Sequence, residues 1–207
     1  RWVVVGHKFS EEIGVPGQSF SLFQLESDGR LSMARNRLVI DHPVGALRFF
    51  NGEDKLLVSE ERGQFSIIDL SLQPPASLVP NPLDAVGIVS AVAGSDGSLA
   101  LVNRDSSEDG GVYWVDSNAA LPPRFLQLPL VQGVAPCQDQ TRWVLVGGQT
   151  LFEPIRNEDV HMISMIDSIP MITSSGDVLE GVFEVGSVAV NANCDFALFA
   201  NRSPYSD

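Results

Sequence analysis

The stretch that decides the fold is residues 46–70, which read ALRFFNGEDKLLVSEERGQFSIIDL. Apolar runs at 46–50, 55–59 and 64–70 are separated by two polar segments, NGED and EERG. Short runs rich in Val, Ile, Leu and Phe, bounded by Gly, Asn and Asp, are typical of β-strands joined by tight turns. The stretch therefore predicts three consecutive antiparallel strands.

The same order of strands and turns returns along the chain. Further copies begin at Val89, Val134 and Val188, and residues 2–6 and 19–25 match the second and third strands of another copy. Each copy supplies apolar runs of strand length and no sustained helical periodicity. The chain is therefore predicted to be a repeat protein built from small antiparallel sheets.

The register of the repeats can be checked at the end of the third strand. An aspartate falls there at Asp69, Asp116 and Asp167, with Gln24 in the corresponding place of the opening copy, at intervals of 45, 47 and 51 residues. Fourth strands are predicted at 30–40, 77–79, 124–128 and 178–185. Four strands per unit at such a period is typical of the blades of a β-propeller. We therefore predict an all-β protein, a β-propeller of four-stranded antiparallel blades.

About four to five blades are represented in a single partial domain. Their approximate bounds are 1–40, 45–80, 88–129, 133–185 and 187–207. Because Trp2 and Phe196 occupy equivalent second-strand positions, the chain returns to its starting point in the repeat. We expect it to be part of a larger propeller of about six to eight blades, completed by the rest of the polypeptide or by another subunit. A self-contained irregular β-fold is the alternative.

Charge and composition limit the function. The chain has 26 acidic against 13 basic residues, a net charge of −13, which argues against nucleic-acid binding through phosphates and favours basic partners. No apolar run reaches the length of a membrane span, and no signal peptide is visible, so the compartment stays open. Cys137 and Cys194 are expected to be free thiols rather than a bridge, because sequence cannot show that their Cα atoms approach.

The repeats resemble a known group of proteins. The strand endings FSIIDL at 65–70 and VYWVD at 112–116, and the turn and strand SDGSLALV at 95–102, are similar to blades of WD40-like and YVTN/lactonase-like propellers. WD40 blades usually carry Gly-His and Trp-Asp pairs, whereas here Gly-His occurs once, at 6–7, and Ile or Val precedes the strand-ending Asp. The resemblance implies either a protein-binding scaffold or a hydrolase.

The hydrolase alternative rests on polar residues at or after second strands. The resemblance to lactonase-like propellers implies that Arg104 and Arg202, each in an Asn-Arg pair, hold a substrate carboxylate or phosphate. Glu60 and His7 are the candidates for proton transfer. The structural interpretation is that Asn caps a turn and Arg pairs with a neighbouring carboxylate. Since the nucleophile-elbow, zinc-protease and phosphate-loop motifs are absent, we expect no catalysis.

A calcium ion is the alternative to having no cofactor. Asp105, Glu108 and Asp109 lie in a glycine-containing acidic segment of the kind that can bind Ca²⁺, although a solvated turn is the simpler interpretation. The lactonase resemblance implies an axial ion instead, with ligands Glu60, Asn103 and Asn201. Such an ion would make the protein a calcium-stabilised extracellular binding propeller.

The favoured function is partner binding. Two insertions lie between second and third strands, at 10–18 and 152–159. The residues predicted to contact a partner are Glu11, Glu12, Glu153, Arg156 and Glu158. We predict a non-catalytic scaffold that binds a protein or peptide through these rim loops, with a lactonase-like hydrolase of a small ester or lactone as the alternative. Aromatic residues are expected to pack between blades, at Trp2, Phe49, Phe65, Trp114, Trp143 and Phe196.

Overall fold

The computed structural model confirms an all-β protein built from antiparallel sheets. It describes residues 1–9, 16–50, 52, 54–72, 81–85, 87–94, 97–103, 110–116, 121–128, 131–139, 141–147, 159–167, 169–177 and 185–201. The chain divides into two compact units, an N-terminal unit of residues 1–90 and a C-terminal unit of residues 91–207. Across the described ranges, no helix is long and apolar enough to cross a membrane.

The N-terminal unit contains a three-stranded and a four-stranded sheet. The first is β1 (Trp2–Phe9), β2 (Pro16–Leu25) and β3 (Leu31–Val39), in that order. The second is β4 (Val44–Phe50), β5 (Lys55–Glu60), β6 (Gln64–Asp69) and β7 (Asn81–Pro82). Their facing apolar side chains, with Phe20, Leu56 and Ile68 at the centre, form one core.

The first of the remaining sheets begins at Ile88, and apart from the first three residues of β8 these sheets lie in the C-terminal unit. One sheet is β8 (Ile88–Ala93), β9 (Leu99–Asn103), β10 (Gly111–Val115) and β11 (Arg124–Gln127). The next is β12 (Val131–Pro136), β13 (Arg142–Gly147), β14 (Asp159–Ile166) and β15 (Ile169–Asp177). The last described strands are β16 (Val185–Val190) and β17 (Ala197–Asn201).

Two tryptophans join the four-stranded sheets of the C-terminal unit. Trp114 of β10 and Trp143 of β13 make an edge-to-face contact, with ring centroids 6.0 Å apart and planes at 84°. Ala100, Leu145 and Ile163 surround them in a fully buried cluster. Large rings fill the space between two twisted sheets, as the sequence predicts for these two residues. Phe196 differs, since 76% of its surface is exposed.

The two cysteines form a disulfide, so the expectation of free thiols is wrong. Cys137 and Cys194 lie 57 residues apart, and their Cα atoms are 5.5 Å from each other. Cys137 follows β12 and Cys194 lies in the β16–β17 turn, which are the first turns of adjacent sheets. The φ of Cys194 is 59°, a left-handed conformation that Gly97 adopts, with φ 84°, in the first turn of the β8–β9 hairpin. Folding brings together residues that the linear sequence could not place.

The outermost strand of the β12–β15 sheet differs from its predicted position. A fourth strand was expected at 178–185, but β15 follows β14 after a short turn, and Val185 begins β16 instead. The reason is the turn at Asp167, whose φ of 50° reverses the chain within two residues. The strand expected at 77–79 lies outside the described residues, and β7 follows at 81–82.

β15 is an edge strand with two irregularities. Pro170 lies opposite Met165 and has no N–H to offer. The register then shifts so that Ile163 faces Ile172 while Met162 faces Ser174, which leaves Thr173 in a bulge. Both features interrupt the row of backbone groups along this edge.

The strand-ending aspartates mark turns. In the N-terminal unit, the Asp69 carboxylate accepts hydrogen bonds from the hydroxyl and the N–H of Ser71, the latter at 2.9 Å. Both hydrogen bonds lower the pKa of Asp69 below its ordinary value of 3.8, and the bond from the hydroxyl has the larger effect.

Candidate functional site

Of the predicted catalytic residues, Glu60 has the most completely described surroundings. It is the last residue of β5 and lies opposite Val44 of β4. Only 5% of its surface is exposed, and the four residues that precede it in β5, at 56–59, are apolar or small. A buried carboxylate needs hydrogen-bond donors, since an unpaired charge in such a place is very costly.

Three hydrogen bonds satisfy the Glu60 carboxylate. The backbone N–H of His42 donates to Oε2 at 2.7 Å, and Nδ1 of the same histidine lies 3.1 Å from that oxygen. The side-chain amide of Gln64 donates to Oε1 at 2.8 Å. Both carboxylate oxygens are therefore engaged by the protein itself.

The network extends to the neighbouring sheet of the N-terminal unit. The Gln64 amide nitrogen also donates to the Asp41 carboxylate at 2.9 Å. The Asp41 carbonyl accepts a 2.7 Å hydrogen bond from the side chain of Gln18 on β2. The segment that joins β3 to β4 is thus held from both sides by polar contacts.

The backbone around Glu60 is equally constrained. Glu61 donates its N–H to the carbonyl of Pro43 at 2.8 Å and accepts one from Ile88 at 3.0 Å. A Cβ atom added at Gly45 would lie 2.6 Å from the Ile88 carbonyl oxygen and 2.9 Å from that of Glu60. Only glycine allows the three backbone segments to approach this closely.

The Glu60–His42 pair has one chemical capability. The histidine side chain is 43% exposed, whereas that of Glu60 is 6% exposed. A buried carboxylate that fixes one ring nitrogen leaves the other free to exchange a proton with solvent or a ligand. The pair is also a sufficient structural anchor for the connection at residues 41–43.

His7, the other candidate for proton transfer, lies beside a hydroxyl group. Its Nε2 lies 2.9 Å from the Ser21 hydroxyl, across the β1–β2 pairing. In the C-terminal unit, Asn103 is fully buried at the end of β9 opposite Gly111, and Asn201 ends β17 opposite Val185. The backbone of each residue pairs within its own sheet.

The remaining predicted site residues lie outside the described residues. They are Glu11, Glu12, Arg104, Asp105, Glu108, Asp109, Glu153, Arg156, Glu158 and Arg202. Within the described ranges, no group of three or more His, Cys, Asp or Glu side chains is arranged to hold a metal ion.

Sequence reasoning identified Glu60 but missed the residues that bind it. Gln64 could have been found, because a tight β5–β6 turn brings residues four apart together. His42 gave no such signal, since its position depends on the pairing of Val44 with Glu60 across two strands.

Comparisons with known proteins support the fold. No family model and no curated protein matches the sequence. A solved structure from Bacteroides fragilis, provisionally described as a 6-phosphogluconolactonase, is similar to this chain with a TM-score of 0.66 and 12% sequence identity. The match covers 96% of this chain and 60% of the Bacteroides chain. Hydrazine synthase of Kuenenia stuttgartiensis has a TM-score of 0.61 and 10% sequence identity, and the match covers 84% of this chain and 49% of the synthase chain. A chain of the mitotic checkpoint complex has a TM-score of 0.62 and 10% sequence identity, and the match covers 89% of this chain and 55% of that chain.

These similarities establish the architecture. The chain has the sheets of a partial β-propeller and spans about half to three fifths of the length of the solved structures it matches. The neighbours include both a lactonase-like protein and a component of a protein assembly. At 10 to 12% identity, they share the fold alone.

Proposed function

We propose that the chain is a non-catalytic portion of a β-propeller that binds a basic protein or peptide through the connections between its second and third strands. The observation that carries this proposal is the length and charge of those connections. Rigid strands that end in extended polar segments are a common way to present a binding surface.

The connections differ strongly between sheets. Only three residues, 61–63, separate β5 from β6, whereas six separate β1 from β2, seven separate β9 from β10 and eleven separate β13 from β14. The three longer connections, 10–15, 104–110 and 148–158, contain seven carboxylate side chains and two arginines. This excess of negative charge attracts a cationic partner and repels an anionic one.

The charge also argues against a phosphorylated substrate. The Bacteroides neighbour is named for a phosphogluconolactone, which is an anion. Acidic connections at the candidate rim would lower the local concentration of such a substrate. A component of a protein assembly, as in the mitotic checkpoint complex, is the closer functional analogue for this chain.

A selected peptide tests the proposal. A displayed library of random peptides of about twelve residues is selected on the 207-residue chain, and the best binder is measured by fluorescence anisotropy. We expect net-positive peptides whose affinity falls about tenfold in a Glu153→Gln/Glu158→Gln protein and at high salt. The matched control is Asp84→Asn/Asp195→Asn, which removes the same charge at exposed positions outside these connections. Selected peptides without basic enrichment, or equal losses in both variants, would contradict the proposal.

One observation favours the hydrolase as a second candidate. The Glu60–His42 pair leaves a half-exposed imidazole oriented by a buried carboxylate, which suits proton transfer. Hydrolysis of glucono-δ-lactone above the buffer rate, lost in a His42→Ala protein, would establish this function. Hydrolysis at the spontaneous rate, or unchanged activity in the variant, would contradict the hydrolase candidate.

A further inference from the structure

The turn between β2 and β3 contains an exposed Asp-Gly pair. Asp28 and Gly29 lie in the segment that joins the two strands, and both residues are exposed. Gly29 has a φ of 83°, and a Cβ atom added to it would meet nothing within 4 Å. Because glycine has no side chain of its own, nothing at residue 29 keeps the Asp28 carboxyl carbon away from the Gly29 nitrogen.

An aspartate followed by glycine can rearrange its own backbone. The Gly29 nitrogen attacks Cγ of Asp28, a C–N bond forms, and the amide proton and the carboxyl hydroxyl leave as water. Water then adds to either carbonyl of the resulting succinimide ring and breaks one of its two C–N bonds. The products are aspartate or isoaspartate, in which the backbone runs through Cβ and Cγ, and water is the only co-reactant.

The carboxyl group must be protonated for this reaction, because an ionised carboxylate has no hydroxyl that can leave as water. Arg30 stabilises the ionised form. Its backbone N–H donates to Oδ1 of Asp28 at 3.0 Å, its Nε donates to Oδ2 at 2.6 Å, and its Nη2 lies 2.6 Å from the same oxygen. The backbone bond first, and then the side-chain bond, lower the pKa of Asp28 below its ordinary value of 3.8.

The nitrogen that would attack is also engaged. The Gly29 N–H donates to the Glu26 carbonyl at 3.1 Å, and the Glu26 N–H donates to the Arg30 carbonyl at 2.8 Å. The Glu26 carboxylate accepts a 2.6 Å hydrogen bond from the Ser32 hydroxyl. Because attack on Cγ removes the proton from the Gly29 nitrogen, the bond to Glu26 must break before the ring can form.

We propose that Asp28–Gly29 is a site of isoaspartate formation and that Arg30 holds it unreactive in the folded protein. Both oxygens of the carboxylate are bound by residue 30, so the group is kept ionised and fixed in place. The two parts of the inference are separable, since the Asp-Gly pair supplies the reactive atoms and the folded turn supplies the protection.

The modification has a structural consequence at the end of the β2–β3 pairing. Isoaspartate adds one methylene to the backbone of a turn that the bond between Glu26 and Arg30 closes. The next residues outward, Leu25 and Leu31, lie opposite each other in the register of the two strands. A longer turn no longer fits this register, so isoaspartate is expected to loosen the end of the hairpin.

Isoaspartate accumulation tests the inference. The 207-residue chain and a synthetic peptide of residues 22–35, LFQLESDGRLSMAR, are incubated side by side at neutral pH. After chymotryptic digestion, isoaspartate at residue 28 is quantified by liquid chromatography and mass spectrometry. It is expected to form at least about tenfold more slowly in the folded chain, because hydrogen bonds of the turn must be released first.

Variants assign the protection to the arginine. Arg30→Ala is expected to raise the rate in the folded chain about threefold, which is the range of an exposed ion pair. Arg30→Lys keeps the charge and is expected to restore part of the protection. The matched control is Arg48→Ala, which removes an exposed arginine from β4 of the same unit and is expected to leave the rate unchanged. Circular dichroism checks that each variant keeps its sheets.

The synthetic peptide separates the folded turn from the local sequence. Arg30→Ala in the peptide is expected to change the rate little, because the contacts to Asp28 belong to the folded chain.

Three results would overturn the inference. They are no isoaspartate at residue 28 in the peptide, equal rates in the peptide and the folded chain, and an effect of Arg30→Ala no larger than that of Arg48→Ala. None of these results bears on the acidic connections, so this inference and the proposed function fail or survive separately.

Discussion

Reduction of the Cys137–Cys194 disulfide is expected to destabilise the C-terminal unit by about 4 kcal/mol. The magnitude follows from the 57-residue separation of the two cysteines, because a cross-link removes loop-closure entropy from the unfolded chain. With a urea dependence of about 2 kcal/mol per molar, the unfolding midpoint shifts down by about 2 M. The N-terminal unit, which contains neither cysteine, is expected to keep its own stability.

Tryptophan fluorescence can report this change in the correct unit. The chain has three tryptophans, and Trp2→Phe leaves only Trp114 and Trp143, both in the C-terminal unit. Urea unfolding of this protein is followed with and without dithiothreitol. A Cys137→Ser/Cys194→Gly protein is the control, since glycine accepts the left-handed conformation at 194 without strain.

The Cys137→Ser/Cys194→Gly protein is expected to have the same urea midpoint as the reduced protein, and dithiothreitol is expected not to change that midpoint. Midpoints that agree within about 0.3 M before and after reduction would refute the reasoning. So would two titratable thiols in the unreduced, denatured chain, because the cysteines would then not be joined.

Three further predictions concern the N-terminal unit. Glu60→Ala is expected to lower its unfolding free energy by about 3 kcal/mol in urea titration, because the part-buried donors of His42 and Gln64 lose the carboxylate as their acceptor. Glu60→Gln keeps an acceptor and is expected to lose less. Gly45→Ala is expected to lower the melting temperature, because two backbone oxygens must move to make room for the new methyl group. Gly6→Ala is the control and is expected to be better tolerated, because its methyl group meets only side-chain atoms, the nearest at 3.2 Å. Equal losses of melting temperature would contradict the close backbone approach at Gly45. By NMR titration, the pKa of Asp69 is expected below 3.8 and to rise in Ser71→Ala. Because the pKa of Asp69 is lower in the folded than in the unfolded protein, its ionised carboxylate stabilises the fold at pH values above the unfolded-state pKa. This stabilisation disappears as the pH falls through the folded-state pKa.

The repeat pattern predicted the sheets because strand signals are local. The runs at 46–50, 55–59 and 64–70 became β4, β5 and β6 with ends shifted by at most two residues. Tight turns between apolar runs leave few alternatives for antiparallel pairing. The fold class was therefore available from the sequence alone.

What the sequence could not provide depends on contacts between distant segments. The disulfide joins residues 57 apart, and the approach of their turns follows from the stacking of sheets rather than from any motif. His42 reaches Glu60 through the register of β4 against β5. The fourth strand after β14 was misplaced because a single left-handed residue, Asp167, shortens the turn, and aspartate gives only a weak signal for that conformation.

The proline and the bulge in β15 have a consequence for how the protein behaves at high concentration. A straight exposed edge can template the growth of cross-β fibrils, in which every N–H and carbonyl pairs with the next molecule. Pro170 withdraws one donor, and the bulge at Thr173 turns the strand away a few residues later. This edge therefore lacks the regular run of about six residues that a fibril core requires. The sheet that carries the half-exposed Ile166, Ile169 and Met171 is thus protected against that form of self-association.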